Sequence, residues 1–200
     1  KRQILYLSGL GEASAAGSPH YDNVAASLFG GFVIVDVNRG RVYSFKPRMR
    51  INIAIVVPKL YELVERRKTE YARSLIPRQI DLEVYVKQSS ELAKLIYALF
   101  NNDIELFGEA VSTDFIVEPH RAKMIPYYYE LKKLAHEYGA VGFNISGAGP
   151  SVFSIYKNSE DAKYACEKLK EFLINRGVES SCIVSHVSES GVEVIRGEGM

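Results

Sequence analysis

The chain predicts an α+β fold, and three observations carry that prediction. Beyond residue 48 the elements run strand, helices, strand, strand, helix, strand, strand, an order that fits a split βαβ, ferredoxin-like sheet covered by helices. A long helix over 80–100 is marked by apolar residues on one face, from Leu82 and Val86 through Leu92, Leu95, Ile96 and Leu99. Strands over 51–57, 141–145 and 152–156 are short apolar runs, the first closed by Pro58 and the other two joined by a Gly-rich turn. The composition is that of an ordinary globular protein, with 47% hydrophobic and 24% charged residues among 200. A chain of that length buries roughly 70% of the surface its unfolded form exposes, so its core needs no staples.

The N-terminal region reads as helices over 3–9 and 22–29 around a small-residue segment, Ser8 to Pro19, expected to be a loop that approaches a ligand closely. Gly30-Gly31 ends the second helix, Phe32 to Val37 alternates as a strand, and Val42 to Phe45 returns after a turn at 38–41. Lys46-Pro47-Arg48 is a polar break holding a proline, which sets expected domains at 1–48 and 49–200. Further on, short helices are expected around Thr69 to Leu75 and over 102–111. Another covers 126–138 and stops at Gly139, and a last one covers 159–176. Two final strands are expected at 180–187 and 191–196. The chain opens inside a helical pattern with no cap residue before it, so a further portion of the protein is expected ahead of Lys1.

Charge and cysteine usage narrow the function classes. Lys+Arg 25 against Asp+Glu 24 leaves a net charge of +1, which argues against a dedicated nucleic-acid or membrane-surface protein. No stretch approaches the roughly 18 apolar residues of a membrane span, and the first residues are too polar for a signal peptide. A cytoplasmic location is expected. Cys166 and Cys182 lack metal-ligand spacing and read as small buried thiols in a reducing compartment.

Several segments have both a chemical and a structural reading. Ser146-Gly147-Ala148-Gly149-Pro150-Ser151 can be a tight hairpin turn or a row of backbone N–H groups presented to an anion. It is neither a dinucleotide fingerprint nor a Walker loop, because a strand follows and no Lys-Ser/Thr does. His20, Asp22 and Asn23 crowd the start of an apolar helix, where a carboxylate or amide also serves as an N-cap. Glu12 in the small-residue segment is a solvated acid or a ligand holding Mg²⁺ against phosphates. Thr69 and Arg73, four apart, share one helix face, and Arg121 sits in a polar connection; two guanidiniums can clamp a carboxylate. The basic run from Arg39 to Arg50 reads as a solvated face, and Tyr127-Tyr128-Tyr129 as packing.

Taken together these segments resemble the homoserine kinase family of the GHMP kinase superfamily. Pro19-His20-Tyr21-Asp22-Asn23-Val24-Ala25 with Gly30-Gly31-Phe32 is similar to its H-x-D-N-V-A…G-G segment. Val56-Val57-Pro58, Thr69-Glu70-Tyr71-Ala72-Arg73 and Leu75-Ile76-Pro77 are similar to its V-x-P…T-x-x-A-R-x-x-L-P stretch. Glu118-Pro119-His120-Arg121 resembles its E-P-Y-R turn, and Ile145 to Phe153 the third superfamily motif. The likeness runs in the family's order and spacing from about residue 10 to the last strands. It implies the end of a GHMP N-terminal domain followed by a ferredoxin-like C-terminal domain with extra helices.

The activity the resemblance implies is ATP-dependent phosphorylation of the γ-hydroxyl of L-homoserine, a step toward threonine. Arg73, Arg121 and Thr69 would then bind the substrate carboxylate, and His20, Asp22 and Asn23 its ammonium and hydroxyl ends. Glu12 would hold Mg²⁺, while Gly147, Gly149 and Ser151 would shape the floor near the phosphates. Asn23 stands where relatives such as mevalonate kinase place a catalytic aspartate; an amide cannot act as a general base, which fits homoserine better than mevalonate or a sugar. The superfamily's Gly-rich nucleotide loop lies upstream of the matched region. Gly9 to Ala16 imitates that loop but lies too close to His20 to be it. This chain alone is therefore expected to bind ATP poorly. Alternatives are another small-molecule kinase of the superfamily or a non-catalytic amino-acid-binding module. Homoserine and ATP are the expected small-molecule partners, with neither nucleic acid nor membrane among them, and a homodimer is left open.

Overall fold

The computed structural model describes residues 2–16, 21–60 and 68–193, with side chains for all of these except 2, 12–16, 68 and 69. The chain divides into two compact units, Lys1–Arg48 with Val187–Met200, and Met49–His186.

The first unit begins with helix α1 (Arg2–Ala16), which takes in residues 8–16 of the segment expected to be a loop; residues 17–19 lie outside the described residues. The correction has a local cause. Ala and Ser tolerate a helix, and Gly9 sits there for close approach: a Cβ on it would lie 2.1 Å from the ring of Tyr21. Helix α2 (Tyr21–Phe29) packs against α1 through Leu5, Ala25 and Leu28, which form the buried hydrophobic cluster of this unit among the described residues. Gly30 and Gly31 both take positive φ and turn the chain into strand β1 (Phe32–Asp36). Strand β2 (Arg41–Phe45) pairs with β1 as the expected hairpin, Phe32 opposite Phe45 and Asp36 opposite Arg41. The region after residue 187 does not begin a strand by 193 as expected. Gly31 N–H donates to the Ser188 carbonyl and Val192 N–H to that of Ser27, which ties this segment to the first unit.

The second unit is built on strands β3 (Asn52–Pro58), β4 (Gly142–Ile145), β5 (Val152–Tyr156) and β6 (Ser180–His186). Their order in the sheet is β4-β5-β3-β6 and every neighbouring pair is antiparallel, the split βαβ arrangement. β3 lies between two strands, and its residues alternate between buried and half-buried. The helices are α3 (Lys68–Ser74), α4 (Leu82–Asn101), α5 (Ile104–Ser112), α6 (Glu118–Arg121), α7 (Tyr128–Glu137) and α8 (Ser159–Ile174). Two of these have a side-chain cap: Asp103 accepts from Leu106 N–H before α5, and Asn158 from Asp161 N–H before α8. One core joins α7, α8 and the sheet through Leu131, Phe143, Val152, Leu169 and Leu173. α5 lies directly on β4: a Cβ on Gly108 would meet the Val141 carbonyl at 2.2 Å.

Cys166 on α8 and Cys182 on β6 are paired as a disulfide, with Cα atoms 5.8 Å apart, which corrects the expectation of separate thiols. The turn after α8 folds β6 back along that helix, so two residues sixteen apart in sequence pack side by side. No described helix is long and apolar enough to cross a membrane.

Candidate functional site

The predicted residues divide between the two units. In the first unit Asp22 and Asn23 occupy the first turn of α2, both exposed. They stand inside the helix instead of capping it, and the Asp22 carboxylate meets the positive end of the helix dipole. The backbone of Glu12 belongs to α1 and not to a flexible loop, and its side chain lies outside the described residues, as does all of His20.

In the second unit the structure brings Arg73, Arg121 and the Gly-rich turn together. Arg121 closes the short helix α6, and its guanidinium makes two bonds to main-chain carbonyls. Nε donates to Ala72 O at 3.1 Å, on α3 beside Arg73, and Nη1 donates to Gly147 O at 3.0 Å. Burial first, and the positive charge of Arg73 next, hold the Arg121 guanidinium below its ordinary pKa range, with Asp114 acting in the opposite sense. Two half-buried cations this close raise each other's energy and favour an anion beside them. Thr69 is on α3 one turn before Arg73, and its side chain lies outside the described residues.

The turn between β4 and β5 is a hairpin connection, as its bland reading holds. Ser146 N–H donates to Ser151 O at 2.8 Å and Gly149 N–H to Ser146 O at 3.0 Å, and a cis Gly149–Pro150 peptide closes the loop. Gly147 has φ of +58° with open space where a Cβ would be, so conformation and not crowding demands glycine there. That conformation is what presents the Gly147 carbonyl to Arg121. Gly149 and Ser151 sit lower in the same turn, buried and half-buried.

Side chains around α6 add further bonds. Asp114 accepts from the N–H groups of Ile116 and Val117 at 2.8 and 2.7 Å and fixes the approach to α6. Glu118 is buried, and its carboxylate accepts from Lys132 Nζ at 2.6 Å; that ammonium also donates to the Ser112 carbonyl. The nearby Tyr128 hydroxyl has its pKa pushed well above the ordinary range, by burial and then by the Glu118 charge. Glu118 lies in the quoted Glu-Pro-His-Arg motif, but Lys132 is fourteen residues away and carries no local signal. A separate cavity of about 690 Å³, lined by Asp103, Glu109, Lys157 and Asp161 among others, contains none of the predicted residues. Among the described residues no three His, Cys, Asp or Glu side chains converge to hold a metal ion.

Residues 95–175 match the family model described as GHMP kinases C terminal. The chain is similar to homoserine kinases. It is 34% identical over 173 residues to that of Aeropyrum pernix, covering 86% of this chain and 55% of the relative. It is 33% identical over 194 residues to that of Thermoplasma volcanium, covering 97% and 62%. A crystal structure of homoserine kinase from Cytophaga hutchinsonii superposes with a TM-score of 0.87 at 34% identity, covering 98% of this chain and 61% of that one. The chain thus spans between one half and two thirds of the length of these relatives.

Proposed function

We propose that this chain is the C-terminal part of a homoserine kinase, which transfers the γ-phosphoryl group of ATP to the hydroxyl of L-homoserine. The observation that carries the reading is the convergence of Arg73 and Arg121 at the Gly147 turn, within motifs similar to those of the family. Homoserine has a carboxylate, an ammonium and a hydroxyl on a four-carbon frame. The two guanidiniums, with Thr69, take the carboxylate; the main-chain bonds of Arg121 fix its plane before substrate arrives, so little order is lost on binding.

His20, Asp22 and Asn23 hold the ammonium and hydroxyl ends. The hydroxyl oxygen forms a bond to the γ-phosphorus as the bond to the β–γ bridging oxygen breaks; ADP leaves, and the hydroxyl proton passes to an oxygen of the transferred phosphoryl group. Asn23 orients that hydroxyl without taking its proton, because an amide has no basic site. Such a transfer asks mainly for positioning and charge stabilisation. Gly147, Gly149 and Ser151 form the floor of the site. Mg²⁺ would neutralise phosphate charge, held by one carboxylate, Glu12, together with phosphate oxygens and water. The family resemblance supports that role for Glu12. The phosphate cradle belongs to the part of the relatives that this chain does not span, and the cytoplasm is the expected setting.

In the complete enzyme Arg121→Ala should weaken homoserine binding by about 2–4 kcal/mol, since a charged hydrogen-bonded pair is broken. The effect is read as a raised KM for homoserine with KM for ATP little changed. An unaltered homoserine KM would remove Arg121 from this role and favour a different small hydroxy substrate.

A further inference from the structure

Glu118 and Arg121 stand at the two ends of the short helix α6, three residues apart. Helical residues at that spacing are neighbours, with Cβ atoms about 5–6 Å apart, so an acid and a base placed there readily pair with each other. Here they do not. The buried Glu118 carboxylate accepts from Lys132 Nζ at 2.6 Å, while Arg121 donates to the carbonyls of Ala72 and Gly147. Among the described residues no carboxylate forms an ion pair with Arg121. A carboxylate of the protein's own, turned onto that guanidinium, would fill the place an anionic ligand has to take.

We propose that Lys132 is a positioning residue for substrate binding: by holding the Glu118 carboxylate toward α7, it keeps that acid off Arg121 and leaves the guanidinium to the substrate. The role rests on the reading of Arg121 as the group that binds the homoserine carboxylate. Lys132 reaches from the middle of α7, and its ammonium donates to the Ser112 carbonyl at 2.8 Å as well as to Glu118. Ser112 is itself fixed. Its hydroxyl donates to the Gly108 carbonyl and accepts from Phe143 N–H, each at 2.9 Å, which locks the end of α5 to β4. The ammonium thus sits between a fixed carbonyl and the carboxylate, and both bonds are charge-assisted. Stability gives little reason for such a pair, since well-packed apolar side chains of similar volume commonly hold a fold as well or better. What the pair supplies is direction: a carboxylate turned toward α7 is not turned toward Arg121.

Steady-state kinetics of the complete enzyme tests this through an asymmetry between the two partners. Lys132→Met keeps the length of the side chain and removes its charge. It should raise KM for homoserine at least about tenfold, with KM for ATP and kcat within about twofold of the parent, as a charged hydrogen bond competing with substrate requires. Glu118→Gln keeps an acceptor for Lys132 and removes the competing charge, so its homoserine KM should stay within about twofold of the parent. Glu118→Gln/Lys132→Met should return KM to that level, and Lys132→Arg, which keeps the cation, should leave it there. Should Lys132→Met unfold, as read by circular dichroism, Lys132→Gln carries the same expectation. A pair that served stability alone would shift KM alike in both single variants or in neither; either result, or a double variant that stays impaired, overturns the inference. Arg121→Ala separates the two roles. A raised homoserine KM there beside an unchanged one in Lys132→Met removes only the role of Lys132, whereas an unchanged KM in Arg121→Ala removes the reading of Arg121 and this role with it.

Discussion

The two units are made of the same kinds of elements and differ in how much core each owns. In Met49–His186 a four-stranded sheet carries helices whose buried residues form one continuous cluster, including Phe143, Leu131, Leu169 and Leu173 at full burial. In the first unit, among the described residues, two helices and a two-stranded hairpin share a buried apolar cluster of Leu5, Ala25 and Leu28, with partly buried side chains such as Val24, Val33 and Val42 against it. Ile4, Tyr6, Leu7, Leu10, Ile34 and Tyr43 stay exposed there, and a recess of about 430 Å³ opens between Leu5, Tyr21, Phe29, Val35 and Val42. Each fully buried large apolar side chain is worth about 1.5–3 kcal/mol, and an isolated hairpin is at best marginal in water. The lesson is that element formation and domain stability are separate properties. Both units have the pattern for their elements, and one has the enclosed volume to hold them.

Dissection is the sharpest way to break this comparison. Residues 49–186 expressed alone should fold cooperatively, with a sigmoidal urea transition followed by circular dichroism. Residues 1–48 alone should give the spectrum of an unfolded chain; a cooperative transition in that piece would refute the contrast. Core truncation should sharpen it. Leu169→Ala, with no exposed surface, should cost about 3–5 kcal/mol in urea unfolding. Leu28→Ala should cost no more than about 2 kcal/mol, because a smaller cluster loses fewer contacts and relaxes into the cavity more easily.

The smallest difference concerns alkali. Burial pushes the Tyr156 hydroxyl up to about 12, above the roughly 10 of a free phenol. The unfolded chain therefore releases this proton first. Stability from the neutral phenol is complete below about pH 10 and is lost as the pH climbs toward about 12. Tyr156→Phe should make the decline over that window shallower by up to about 2 kcal/mol, measured as the pH dependence of the urea midpoint. An identical slope in both proteins would mean that Tyr156 keeps its ordinary titration.

Much of this was legible residue by residue. Strands β1, β2, β3, β4, β5 and β6 begin and end within about one residue of their sequence limits. So does the start of α2, because apolar runs, Gly-Gly and Pro58 act locally. α1 was cut short at Gly9 because a glycine that makes room for a neighbouring ring looks the same in sequence as one that frees a loop. Of the strand expected at 191–196, residues 191–193 are not strand, and Val192 N–H there bonds to the Ser27 carbonyl on α2; residues 194–196 lie outside the described residues. The site was half legible. Arg73, Arg121 and the Gly147 turn were singled out from the sequence, but the bonds that aim Arg121 end on Ala72 and Gly147 carbonyls, which every residue type has.

By itself the sequence determined the order and kind of the elements and the set of short motifs that holds Arg73, Arg121 and the Gly147 turn. These are properties of short segments, where side-chain spacing and turn chemistry act within a few residues. Tertiary structure alone decided that Arg121 lies beside Arg73, that Glu118 finds Lys132 and that Cys166 meets Cys182. Each of those pairings depends on a chain that returns after dozens of residues, or after a whole helix, at an angle set by the packing of a core.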